Sequence, residues 1–188
     1  MPWLEPITLR GTHATLVPLT HDHHDDLVEA VRDESDLRRY LEKAVDERAR
    51  GVSLPFTTIH RASGRVAGST RFGSIVREHK RVEIGWTWLG SEFQRTALNT
   101  ECKLMLLTHA FETKDCVAVE FRTHAFNQGS RRGIERLGAK LDGVLRNNRI
   151  MPNGTLRDTC VYSIIAGEWP AVRAHLDARL SRPPAPPI

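Results

Sequence analysis

From Val82 to Leu89 the side chains alternate. Val82, Ile84, Trp86 and Trp88 fall on one face and Glu83, Gly85 and Thr87 on the other, the two-residue period of a strand with a buried side. After SEFQRTALNTE, residues 104–111 form an apolar run without proline or glycine and read as a helix. Asn99 is a good N-cap and Glu101 brings negative charge to the first turn, so this helix is expected to start at or next to Asn99. A second unit of the same kind follows: a strand over 117–123, a turn at Asn127-Gln128-Gly129, and a helix from about Ser130 to Leu137. Gly138 ends that helix as a left-handed cap residue would.

The rest of the chain frames these two units. Residues 7–9 and 14–19 read as a hairpin or two-part strand around Gly11, and Thr20 caps a helix over 21–32. Leu37, Tyr40, Leu41 and Ala44 carry helical spacing through a segment over 35–48, which Gly51 stops. Strands follow over 54–61, 66–76 and 81–89, the first two joined at Ser63-Gly64. After the second unit come a strand over 141–147, a turn at Pro152-Asn153-Gly154, a last strand over 156–165, and a short helix over 169–180. The order is β-α-α-β-β-β-α-β-α-β-β. The final SRPPAPPI is expected to be disordered.

At 188 residues and 40% hydrophobic content, the chain suits one well-buried domain over 1–180 with a Pro-rich tail over 181–188. Its 27 Lys and Arg against 23 Asp and Glu are interspersed, which suits a compact anionic ligand better than a polyanion, so no nucleic-acid partner is expected. The three cysteines, Cys102, Cys116 and Cys160, are too scattered for a disulfide framework or a zinc site. No signal segment or bilayer-length apolar run is seen, so a cytoplasmic protein without a membrane partner is expected. His21, His23 and His24 among Asp22, Asp25 and Asp26 lack the helical spacing of metal ligands, and no metal is expected.

A strand-loop-helix unit leaves free N–H groups at a helix start, where the helix dipole adds positive charge, and so offers an anion site. Residues 94–100 are the candidate cradle. An ordinary connection explains one such unit, but two in succession raise the functional reading. Asn127-x-x-Ser130 followed by Glu135-Arg136-Leu137-Gly138-Ala139 resembles the N-x-x-S-x-x-x-x-E-K-x-G-F signature of the Gcn5-related N-acetyltransferase (GNAT) superfamily, in its ribosomal-protein N-acetyltransferase branch. That family's (Q/R)-x-x-G-x-(G/A) signature falls on Gln94-Arg95-Thr96-Ala97-Leu98-Asn99, with Ala97 and Asn99 where glycines are usual. The resemblance covers roughly residues 7–165.

The resemblance implies an α+β, three-layer fold. Its central mixed, mostly antiparallel sheet of six to seven strands is flanked by helices and splays at the fourth and fifth strands, where the pantetheine arm of acetyl-CoA lies. It implies acetyl-CoA as co-substrate, an amine acceptor such as a protein N-terminus or small amine, and room for a homodimer. The cofactor set is then Trp86, Trp88, Leu89, Gln94, Arg95, Thr96, Ala97, Leu98, Asn99, Thr100, Asn127, Ser130, Arg131 and Arg132. Gly85 fits a bulge that opens the gap. Glu83, just before the gap on the polar face, is the preferred general base, although a paired strand carboxylate is an equal reading. Ser130 is the candidate to protonate the leaving thiolate, or merely an N-cap, because Glu135 stands where many members carry a tyrosine. Arg71 and Glu120 are the candidate acceptor contacts, Arg71 also being placed to pair with Glu83. A direct ternary-complex acetyl transfer is the leading expectation. The alternative is a non-catalytic acyl-CoA-binding module, suggested by Ala97, Asn99 and the absent tyrosine.

Overall fold

A computed structural model describes residues 3–31 and 37–182. A hairpin of β1 (Leu9–Arg10) and β2 (Ala14–Pro18) leads into α1 (His24–Val31) and α2 (Leu37–Ala49). Three strands follow, β3 (Leu54–His60), β4 (Val66–Val76) and β5 (Arg81–Leu89), and then α3 (Ala97–Thr108), which runs on as a π turn over His109–Thr113. The chain continues through β6 (Ala118–His124), α4 (Gln128–Glu135), β7 (Lys140–Ile150), β8 (Leu156–Ile165) and α5 (Trp169–Leu180). Expectations for Arg32, Ser35 and residues 183–188 lie outside the described residues.

The strands form one sheet in the order β1-β2-β3-β4-β5-β6-β8-β7, antiparallel throughout except between β5 and β6. Eight strands replace the expected six to seven because Gly11 divides the first segment into two paired strands. The α+β fold class is as expected. No helix among the described residues is long and apolar enough to cross a membrane.

Alternation in the strands sends side chains into two apolar layers. Leu16, Phe56, Phe72, Val82, Ile84, Val119, Phe121, Tyr162 and Ile164 point to one side, where Leu98, Cys102, Leu106 and Leu107 of α3 and Val172 and Leu176 of α5 complete the larger core. On the other side Leu19, Leu27, Leu37, Leu41, Ala44 and Val66 form a smaller cluster under α1 and α2, with Tyr40 and Trp88 at its rim. All three cysteines are free and buried. Burial pushes the Cys102 thiol up to about 12, so its position early in α3 does not activate it.

Glu101 ties α3 to the sheet edge. Its carboxylate accepts N–H bonds from Thr12, His13 and Ala14, each at 2.7 Å. Charge-assisted bonds to three successive amides hold the β1–β2 turn against α3. Glu101 therefore acts as a clasp rather than as the first-turn charge expected from sequence, since α3 starts four residues before it.

Gly68 marks a close approach of β4 to the end of β5. It has φ +150, and a Cβ there would lie 2.1 Å from the Trp88 carbonyl oxygen. Neither the angle nor the backbone contact can relax cheaply. Gly68→Ala should lower stability by about 3 kcal/mol in denaturant unfolding, whereas Gly143→Ala, with open space around it, should stay within about 0.5 kcal/mol.

Candidate active site

β5 and β6 are paired only at Arg81 with Ala118, Val82 with Val119 and Glu83 with Glu120. Past Glu83 they part. β5 keeps its pairing to β4 as far as Leu89, and β6 stays with β8 as far as His124, so the facing edges open into a crevice of about 910 Å³. Glu83, Trp86, Gln94, Arg95, Asn99, Asn127, Ser130 and Arg132 line it.

A bulge aims this stretch of β5. Arg71 stands opposite Gly85 and Ser69 opposite Trp88, so Trp86 and Thr87 together face the single residue Thr70. Trp86, at φ 49, is the left-handed residue, which corrects the expectation of a bulge centred on Gly85. The alternation flips here too. Val82 and Ile84 join the larger core, while Trp86 lies over the Arg71 guanidinium and Trp88 packs edge-on to Tyr40 at 6.3 Å. The four apolar residues therefore do not share one face. A strained φ on a large residue costs about 1–3 kcal/mol, and the cation–π contact at 5.3 Å helps to offset it. Gly73 leaves the space: a Cβ on it would sit 2.5 Å from the Trp86 ring.

Two helices begin at the crevice. Thr96, not Asn99, caps α3: its hydroxyl accepts from Leu98 N–H at 3.3 Å and donates to the Phe93 carbonyl at 2.8 Å. The left-handed turn before the helix falls on Arg95, at φ 60. Ala97 and Asn99 lie within the first helical turn, so neither needs the angles that glycine tolerates. The Asn99 Oδ1 is buried with no hydrogen-bond partner, an orphan acceptor in the crevice lining. Asn127 caps α4 by accepting from Ser130 N–H at 2.9 Å. Its acceptor oxygen is thereby committed, leaving its NH₂ to serve a ligand, and the N-cap alternative weighed for Ser130 belongs to Asn127 instead.

The charged groups sort into distinct environments. Glu83 is buried, and desolvation raises its pKa against the opposing hydrogen bond from Ser74 (2.8 Å) and the charge of Arg122. Glu120 is held by Arg81 and Arg122. Burial alone would raise its pKa, but those two guanidinium groups outweigh it and keep it below the ordinary carboxylate value. Arg71, 2% exposed, does not pair with Glu83. It donates to Glu47 of α2 at 2.9 Å and lies between the rings of Tyr40 and Trp86, which corrects the expected pairing. Neither Arg71 nor Glu120 lines the crevice.

Arg131 also turns away, donating to the Tyr162 hydroxyl at 3.0 Å and the Ala125 carbonyl at 3.3 Å. Tyr162 in turn donates to Glu135 at 2.8 Å. Leu98 and Thr100 are buried, and Trp88, Leu89, Thr96 and Ala97 lie beside the crevice rather than in its lining. Asp158 of β8 accepts from Asn147 N–H at 2.7 Å. Among the described residues no group of three or more metal-ligating side chains comes together; His23 bonds Thr20, and His24 bonds Asp25.

Sequence reasoning missed several lining residues: Lys103, Arg122, Arg149, Arg157 and Thr159. Lys103 was legible in principle, because it lies one helical turn after Asn99. Its Nζ donates to Thr70 at 3.1 Å and to Thr87 at 2.5 Å, joining the two strands on either side of the bulge. Burial lowers its pKa to about 8.

Residues 8–140 match the family model described as an acetyltransferase (GNAT) domain. YdaF of Bacillus subtilis (strain 168), provisionally named a ribosomal N-acetyltransferase, is 28% identical over 106 residues; the match spans 56% of this chain and only 57% of that relative. A crystal structure of a provisionally named acetyltransferase is 33% identical, covering 98% of this chain and 100% of its own, with a TM-score of 0.87. A GCN5-related N-acetyltransferase from Brucella melitensis is 26% identical over 96% of this chain and 88% of its own, with a TM-score of 0.86.

The buried lysine yields a pH test. Its folded pKa lies below the unfolded value, so between about 8 and 10.5 the unfolded chain holds a proton that the folded chain does not. Wild-type stability should therefore gain a component rising with pH across that window, by at most about 1.4 kcal/mol per pH unit for one proton. Lys103→Met should lack that component when denaturant midpoints are compared from pH 7 upward.

Proposed function

The chain belongs to the GNAT acetyltransferase family, and from that premise we propose that it transfers the acetyl group of acetyl-CoA directly to a primary amine, in our preferred reading the N-terminal α-amine of a protein. The observation that carries this reading is the parting of β5 from β6 after Glu83, over a crevice bordered by the first turns of α3 and α4. One connected domain over 1–180 is part of the same reading.

The residues present fit the carrier. Unpaired backbone groups of β5 past Glu83 suit the amides of a pantetheine arm, and the Asn99 Oδ1, buried without a partner, suits a donor from the same ligand. The first-turn amides of α3 and the Arg95 and Arg132 guanidinium groups suit phosphate. Bound there, the thioester supplies an electrophilic carbonyl. Glu83 then takes the amine proton, directly or through one water, as the N–C bond forms and the C–S bond breaks. Its pKa, raised by burial, strengthens it as a base. Ser130 is our choice for the proton taken up by the leaving sulfur.

The usual tyrosine is absent from α4, and its place is held by Glu135, bonded to Tyr162. The other ground for a non-catalytic module, the missing glycines, loses its force once Ala97 and Asn99 are helical.

Glu83→Gln should lower turnover by about a hundredfold or more, read as thiol release over an amine panel, with CoA affinity by calorimetry near wild type. Equal turnover in the two proteins removes Glu83 as base. Asn127→Asp keeps the α4 cap but loses the NH₂ donor, so CoA affinity should fall about tenfold while the melting temperature holds. Failure to bind any CoA ester would overturn the reading as a whole.

A further inference from the structure

Arg149 of β7 and Arg157 of β8 are register partners, directly opposite on one face of the sheet, and both line the crevice. Like charges so opposed repel, and folding gains nothing from the arrangement. The backbone nevertheless departs from regular pairing to create it. Between Leu145 and Arg149 the three residues 146–148 of β7 face Asp158 alone. Asn147 takes a left-handed φ of 49, and its N–H is fixed by the Asp158 carboxylate.

No carboxylate lies within ion-pair distance of Arg149 or Arg157 among the described residues, and Arg157 is steadied only by its Nε donating to Thr159 at 3.2 Å. Arg81 and Arg122, by contrast, spend their charge on Glu120. Both unpaired guanidinium groups are close enough to Glu83 to act on its carboxyl electrostatically, so they stand at the proposed reacting end of the crevice. Burial and then Arg149 pull the Arg157 pKa below its ordinary value, and the nearby Glu83 carboxylate only partly opposes them.

We propose that Arg149 and Arg157 form an anion clamp that selects the acceptor: the amine entering beside Glu83 belongs to a peptide with an acidic residue next to its N-terminus. This deepens the transferase reading above and rests on it. Two converging guanidinium forks match a carboxylate or a phosphate in geometry and charge, whereas a neutral neighbour leaves their repulsion unrelieved. Glu83 itself repels an anion, so the clamp also holds the acidic group away from the base while the amine approaches it.

The test uses the full chain and three peptides that differ only at position two, carrying Glu, Gln or phosphoserine. Transfer is read as thiol release with acetyl-CoA, and binding as fluorescence anisotropy of labelled, N-terminally blocked versions. The wild type should favour Glu over Gln by about tenfold in kcat/KM, mainly through KM. The phosphoserine arm ranks carboxylate against phosphate as the anion. In Arg149→Gln and Arg157→Gln the Glu:Gln ratio should collapse to about one, while Arg50→Gln, remote on the surface, should retain it. Both crevice variants should melt close to wild type, since the repulsion each removes is set against a lost attraction to Glu83.

No preference in the wild type, or a preference that survives both substitutions, overturns the clamp. So does an equal loss of CoA affinity and peptide affinity in the variants, which would assign the pair to the carrier. A Glu preference in anisotropy that the variants abolish, without thiol release from any peptide, would keep the clamp and sink the transferase reading.

Discussion

A strand edge can bond to its neighbour or to a ligand, not both at once, and β5 is divided between the two. Its first residues are joined to β6, and from Ile84 onward that edge is left open. The crevice, the exposure of the helix starts, and the position of Glu83 at the fork all follow from where the pairing stops. Trp86 helps to fix that point. Its left-handed backbone adds a residue to β5, turning the strand where it would otherwise continue in register.

Buried ionic and polar groups hold the fork in shape. From one side of the sheet Arg71 carries Glu47 of α2 to the Trp86 ring. From the other, Lys103 reaches up from α3 to Thr70 and Thr87. The bulge is thus gripped on both faces, and Glu101, between Asn99 and Lys103 on α3 but outside the crevice lining, secures the hairpin at the far edge. Each of these groups has its charge or hydrogen-bonding capacity largely met, as burial of a polar group requires. Arg149 and Arg157 depart from that rule, as does the Asn99 Oδ1, and all three line the crevice. Other buried atoms without a partner, among them the Ser53 and Thr57 hydroxyls and the Arg71 Nε, lie outside the crevice lining, so it is the two unpaired guanidinium groups that set the crevice apart.

Periodicity made the elements legible, because alternation and helical spacing reflect burial directly. The strands over 54–61, 66–76 and 156–165 and the helix over 169–180 lie within a residue of their observed limits. What periodicity could not convey was the bulge, since one left-handed residue reverses the face of every side chain after it. For that reason plain alternation puts Trp86 and Trp88 on the wrong side. Likewise, cap preference alone favours Asn99 over Thr96, but the turn through Arg95 decides which of them is reached first. The partners of Arg71, Arg131 and Lys103 were hidden for another reason. They sit on elements distant in sequence, and only the assembled sheet brings Glu47, Tyr162 and Thr70 beside them. Half of the expected cofactor residues line the crevice and half do not, because residue identity does not convey which way a residue faces once the bulge and the turn are in place.

Ala97 and Asn99, at positions where the signature this loop resembles carries glycine, illustrate what main-chain recognition would permit. Where a ligand is gripped by amides and carbonyls, the alphabet of acceptable side chains is wide, provided the turn keeps its shape. Loops of this kind can drift through many residue types during evolution without losing their ligand. A motif written in side chains will therefore overlook members whose backbones still obey it.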